Sequence, residues 1–132
     1  MRVYIAGPMT GLPECNYPAF HCAARILRNV GFAVENPAER PAPEPPTWLN
    51  WMRQAIPQML TCDAVVLLPG WTTSRGANAE LSLAHHLGMP VVTIAEALRL
   101  LPELSHCQAP PKPAPQPASS AAINPLQQEL SP

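Results

Sequence analysis

Residues 63–70 read DAVVLLPG, an apolar run from Ala64 to Leu68 set between an aspartate and a Pro-Gly stop. A run this short, apolar at every position rather than at alternate ones, is the pattern of a strand buried on both faces. Such strands belong to parallel sheets covered by helices, so the segments on either side should be helical. Downstream, GWTTSRGANAELSLAHHLG (70–88) opens as a loop and then carries a helical period over 76–87, with Gly88 as its C-terminal stop. PVVTI (90–94) reads as another strand and AEALRLLPEL (95–104) as a last short helix.

The same alternation runs upstream. RVYIA (2–6) is a β-branched and aromatic run that ends in GPMTG, a strand entering a Gly/Pro loop. In YPAFHCAARILRNVG, Phe20, Ala24, Ile26, Leu27 and Val30 recur at helical spacing, with Pro18 near the start and Gly31 past the end, which predicts a helix over 18–30. FAVENP (32–37) returns as a strand, and the prolines of AERPAPEPP (38–46) make a loop. Thr47 is a good N-cap for a helix carrying Trp48, Trp51, Met52, Ile56, Met59 and Leu60, in which Pro57 predicts a kink or two shorter pieces. Strands alternating with helical segments predict right-handed crossovers. The fold class is α/β: a Rossmann-like, flavodoxin-like parallel sheet of about four to five strands flanked by helices. It forms one domain over residues 1–105. Residues 106–132 lack a period and are rich in Pro, Ala, Ser and Gln, the composition of a disordered or polyproline-like tail.

Composition narrows the function. At 132 residues the chain holds one domain with a real core. A formal net charge of -1 supplies no basic footprint for a phosphate polymer, so polymeric nucleic acid is not the expected partner. Cys15, Cys22, Cys62 and Cys107 show no zinc-ligand spacing and read as reduced thiols. His85 and His86 are adjacent, so they point to different helix faces and do not chelate one metal as an i, i+4 pair does. No apolar run approaches the ~18 residues of a membrane span or forms a signal peptide. A cytoplasmic protein without metal or cofactor, and without a membrane partner, is the expectation.

In an open parallel sheet, ligands bind beyond the carboxyl ends of the strands. Three loops should meet there: GPMTGLPECN with Gly7, Met9, Thr10 and Gly11; NPAERPAPEPP; and PGWTTSRGAN with Gly70, Trp71, Ser74, Gly76 and Asn78. Gly-rich loops and helix N-termini admit an anion, although plain turn formation explains the same glycines. Neither loop is a Walker or GxGxxG sequence. Ser74 with Arg75 suits a phosphate or carboxylate, but a serine there is also an ordinary helix cap. Tyr4 reads as core. Asp63 lies at the amino end of its strand, where a turn residue is expected. Trp48, Trp51 and Trp71 read as core or interface, Trp71 alone being placed to cover a planar ring. Glu80 is by itself an acid in the first turns of a helix, favourable there through the helix dipole.

Taken together, YIAGPMTG, DAVVLLPGW and SRGANAELSLAHHLGMPV over roughly residues 1–100 resemble the DUF4406 family, small phage and bacterial proteins of unassigned function. More broadly the chain is similar to the nucleoside 2-deoxyribosyltransferase superfamily, which includes deoxynucleoside 5′-monophosphate N-glycosidases. That resemblance implies a Glu nucleophile four residues beyond a motif glycine, matched by Glu80 and Gly76. It implies a Tyr three residues before a Gly to orient the nucleophile, matched by Tyr4 and Gly7, and an Asp near the sugar, matched by Asp63. Ser74, six residues before Glu80, stands where the monophosphate glycosidases have a phosphate-binding Ser and the free-nucleoside transferases an Asp. The resemblance thus implies cleavage of the N-glycosidic bond of a nucleotide or nucleoside, 5′-monophosphate favoured, by hydrolysis or transfer, in a homodimer or larger assembly. The alternative is a non-catalytic nucleotide-binding module. Two positions depart from the pattern: Pro8 replaces a small polar residue, removing an N–H that Thr10 would have to replace, and Ala55 stands where an acid is common.

Overall fold

The structure, a computed structural model, describes residues 1–99. The end of the predicted last helix and the Pro-rich tail lie outside the described residues. Four strands, β1 (Arg2–Ala6), β2 (Ala33–Glu35), β3 (Ala64–Leu67) and β4 (Val91–Thr93), form one sheet in the order β2-β1-β3-β4. Every pair is parallel, with Arg2 opposite Ala33, Tyr4 opposite Val65 and Val65 opposite Val91. Helices α1 (Tyr17–Asn29), α2 (Trp48–Leu60), α3 (Arg75–His86) and α4 (Ile94–Arg99) complete the expected α/β domain.

Side-chain alternation along the strands divides the core in two. Val3, Ile5, Val66 and Leu68 meet Phe20, Ala24 and Leu27 of α1 and Ala97 of α4. Tyr4, Ala6, Val65 and Leu67 meet Met59 of α2 and Ala77 and Ala84 of α3. All four residues of β3 are buried, which is why its sequence shows no polar alternation. Burying a side chain such as Phe20 or Leu27 stabilises the fold by roughly 1.5–3 kcal/mol. Tyr4, one residue out of step with Ile5, is thereby turned toward α3.

Three expectations are corrected. Pro57 does not divide α2, which runs unbroken from Trp48 to Leu60. Pro57 and Arg53, whose carbonyl the missing N–H would have bonded, both lie on the exposed side, where water can serve that carbonyl. Strand β2 stops at Glu35 because the Asn36 side chain accepts from Ala38 N at 3.0 Å and starts a short 3-10 turn over Pro37–Glu39. Strand β4 stops at Thr93, and Ile94 already belongs to α4. There Glu96 accepts from Thr93 N at 3.1 Å while Thr93 Oγ1 accepts from Glu96 N at 3.2 Å, a reciprocal cap whose Thr-x-x-Glu spacing is legible in the sequence.

Candidate functional site

The parallel sheet sends the chain after β1, β2 and β3 to one edge. Gly7 turns out of β1 there. A Cβ on it would lie 2.8 Å from Leu68 Cβ, so only glycine lets the chain leave β1 so close to the end of β3. Gly70 adopts φ +85°, a left-handed turn that returns the chain toward α3 through a 3-10 turn over Trp71–Thr73. In the first loop Glu14, Cys15 and Asn16 also have positive φ, at 52°, 50° and 59°. Left-handed backbone is unfavourable by roughly 1–2 kcal/mol at each such residue. Asn16 Nδ2 donates to Pro8 O at 2.9 Å and ties this loop together.

Between these loops and α2 lies an inner cavity of ≈ 80 Å³. Tyr4, Ala6 and Gly7 of β1 and its exit form the floor, and Gly76, Ala77 and Glu80 of α3 form one wall. Trp48, Trp51, Met52 and Ala55 of α2 form another, and Ile5, Phe20 and Pro37 also contribute to the lining. Those four α2 residues follow the i, i+3, i+4, i+7 rule, so one stripe of the helix faces the cavity. Met9, Thr10, Trp48, Ser74 and Gly76 also line a wider outer cleft of ≈ 580 Å³, to which Pro8, Asn16, Gly70, Thr73 and Arg75 contribute. The shared residues make one recess with an apolar bottom and a polar mouth.

Glu80 is the only carboxyl among the described residues lining either space, and Arg75 the only basic group. Glu80 is 5% exposed, and the Tyr4 hydroxyl, from across the sheet-helix boundary, donates to its Oε2. Burial pushes the Glu80 carboxyl up to about 7, against the opposing pull of the Tyr4 hydrogen bond. Burial and the neighbouring Glu80 carboxylate also raise the Tyr4 phenol well above its ordinary range, so Tyr4 is the donor of the pair.

Ser74 lines both spaces, and its Oγ caps α3 by accepting from Ala77 N at 3.1 Å. A hydroxyl that accepts in this way still has its own hydrogen to give to an anion. Arg75 stacks its guanidinium carbon 3.7 Å from the centre of the Trp48 ring at the mouth. Asn78 sits outside both spaces. Its Nδ2 reaches the carbonyls of Trp71, Thr72 and Ser74 at 3.3, 3.0 and 2.8 Å, and so holds the loop that presents Ser74.

The structure therefore brings together Tyr4, Gly7, Met9, Thr10, Gly70, Ser74, Gly76 and Glu80 of the expected site. It does not bring Asp63, Trp71, Gly11 or Asn78 into the lining. Asp63 precedes β3 at the sheet's amino edge, where its carboxylate accepts from Arg2 N at 2.8 Å and its own N–H donates to Arg2 O at 2.7 Å. That is the amino end of the strand, as its place in the sequence predicts, and it leaves Asp63 outside the lining of both spaces, away from the sugar contact that the resemblance implies. Trp71 packs instead against the core beside α3. Reading the sequence missed the stripe of α2. Helical spacing marked Trp48, Trp51 and Met52 as apolar, but spacing does not distinguish a face that meets core from one that meets a cavity.

Among the described residues no group of three or more His, Cys, Asp or Glu is placed to hold a metal ion, and no helix is long and apolar enough to cross a membrane. An all-parallel α/β domain with a deep recess at the carboxyl edge, and one buried carboxyl at its bottom, is the class these features define. The family model described as a domain of unknown function, DUF4406, matches residues 1–93, and the chain belongs to that family. Comparison with curated proteins and with solved structures gives no significant match.

Proposed function

We propose that the chain cleaves the N-glycosidic bond of a nucleotide, a 5′-monophosphate in preference to a free nucleoside, with Glu80 as nucleophile. The observation that carries this reading is the Tyr4–Glu80 hydrogen bond at the bottom of a recess whose mouth holds Ser74 and Arg75. A sugar placed over Glu80 offers its anomeric carbon to the carboxylate. As the C1′–N bond breaks, the base leaves with the electron pair and takes a proton from solvent, while charge develops at C1′ that Glu80 stabilises or captures. Water, or a second base in a transfer, then attacks C1′ and frees Glu80; hydrolysis yields a sugar 5-phosphate and the base. Tyr4 holds the carboxylate in line and favours its ionised form. Ser74 Oγ–H, the positive end of α3 and Arg75 supply the donors that a 5′-phosphate requires.

The test is chromatography of wild type with each of the four deoxynucleoside 5′-monophosphates. Free base is expected from at least one, with Glu80→Ala slower by about a thousandfold or more. No release from any, or equal release by Glu80→Ala, would overturn the assignment. One observation favours a second reading, a binding module without turnover: no other carboxyl among the described residues lines the recess to serve as a general acid. Tight binding of a nucleotide with no base released selects that reading.

A further inference from the structure

Arg75 differs from three other arginines of the fold in what it touches. Arg2 and Arg40 pair with Glu35, and Arg28 pairs with Glu39. Arg75 has no carboxylate within ion-pair distance among the described residues; its contact is with Trp48, whose ring centre lies 3.7 Å from the guanidinium carbon. An approach this close fits a guanidinium lying flat on the indole rather than one pointing an N–H at it. All the N–H donors of the group lie in its plane, so a partner on its face leaves the donor edge unengaged.

The stack joins two elements that wall the recess. Trp48 is the first residue of α2 and Arg75 the first of α3. Trp48 lines both the inner cavity and the outer cleft, and Arg75 lines the outer cleft. The start of α2 is held in place: Thr47 Oγ1 accepts from Asn50 N at 3.2 Å, and Asn50 Nδ2 donates to Pro45 O at 2.9 Å. Arg75 itself is exposed. An exposed arginine samples many rotamers, and ordering it when a ligand arrives weakens capture. A guanidinium already stacked on a fixed ring has lost part of that freedom beforehand.

We infer that Trp48 is a positioning residue for the phosphate: its ring holds the face of Arg75 at the mouth of the recess and leaves the N–H edge of the guanidinium to the 5′-phosphate. This rests on the nucleotide reading above. A phosphate suits that edge because two of its oxygens can accept parallel N–H bonds from one guanidinium. A lysine in place of Arg75 would keep the charge but would have no face to lay on the ring and no edge to present.

Calorimetric titration of the full chain tests it, with the tightest-binding of the four deoxynucleoside 5′-monophosphates and with the matching deoxynucleoside. The ratio of the two affinities isolates the phosphate and cancels any contact of Trp48 with base or sugar. Trp48→Leu should lower that ratio roughly 3- to 10-fold, and Trp48→Phe, which keeps a ring face, should restore most of it. In an Arg75→Ala background, Trp48→Leu should leave the ratio unchanged, because the ring then has no guanidinium to hold. An unchanged ratio in Trp48→Leu alone, or an equal loss with and without Arg75, would overturn the inference. A wild type that binds nucleotide and nucleoside equally overturns it too and leaves the role of Glu80 standing, whereas a wild type that binds neither overturns the functional reading and this inference with it. A second measurement needs no change at Trp48. In nitrogen-15 spectra, with signals assigned through Arg75→Lys, the Arg75 side-chain N–H signals should lie upfield under the Trp48 ring current, move downfield with the nucleotide and stay in place with the nucleoside. Arg75 signals without the upfield shift, or signals that ignore the nucleotide, contradict the inference.

Discussion

Glu80 is held in a position that favours its neutral form, and this has consequences that separate its role from that of an ordinary helix acid. Its carboxyl, ordinarily near 4.5, is pushed to about 7 by burial. Between those two pH values the folded chain retains a proton that the unfolded chain releases. Stability from this group is therefore undiminished below about pH 4.5 and falls as pH rises toward 7, by roughly 3 kcal/mol in all. Glu80→Gln, which cannot ionise, should match wild type in urea unfolding near pH 4.5 and exceed it by roughly 2–3 kcal/mol at pH 8. Equal stability at both pH values would mean that Glu80 is not desolvated. The proposed catalysis runs the other way, because a nucleophilic Glu80 must be ionised, so kcat/KM should rise with pH through about 7. Tyr4→Phe removes the hydrogen bond that lowers the Glu80 pKa, and should move that rising limb to higher pH. An unmoved limb would leave Tyr4 as core alone. The separation of Gly76 from Glu80 and of Tyr4 from Gly7 was legible in the sequence. The burial that changes the acid's chemistry was not, since it comes from residues far apart in the chain.

At the level of elements, the proposed phosphate preference rests on the α3 N-terminus and the loop before it. Ser74 caps α3 and lines the recess at once, so Ser74→Ala should cost about 1 kcal/mol of stability. It should also reduce the preference for a nucleotide over its free nucleoside roughly tenfold. Ser74→Thr, which keeps the hydroxyl, should restore both, and paired thermal melts and titrations read the two effects separately. A full cap loss with an unchanged preference would confine Ser74 to its structural task. The strands, the first three helices and the ligand edge followed from the uninterrupted apolar run over 64–68 and the alternation around it. The errors fell where local polar chemistry ended an element early, at Asn36 and Thr93, and where the solvent side of α2 accommodated Pro57. The face of α2 that walls the cavity was hidden because Trp48, Trp51 and Met52 satisfy the same spacing whether they meet core or ligand.

For the whole molecule, the recess lies at the end of β1 and draws its lining from both halves of the core. Assembly into a dimer or larger form is an expectation that only the resemblance to nucleoside 2-deoxyribosyltransferases implies. Leu49 and Leu60 on α2 are 52% and 51% exposed. Sedimentation at micromolar concentration should show a dimer or larger species, and a clean monomer would contradict that expectation. The central claim is chemical, and the rate of free-base release from deoxynucleoside 5′-monophosphates at pH 8 tests it most directly when wild type and Glu80→Gln are compared side by side. The Gln variant is expected to be the more stable of the two at that pH, so misfolding would not account for its inactivity. The account predicts base released by wild type and none above background by Glu80→Gln; equal rates from the two proteins, or no release by wild type from any of the four nucleotides, would contradict it.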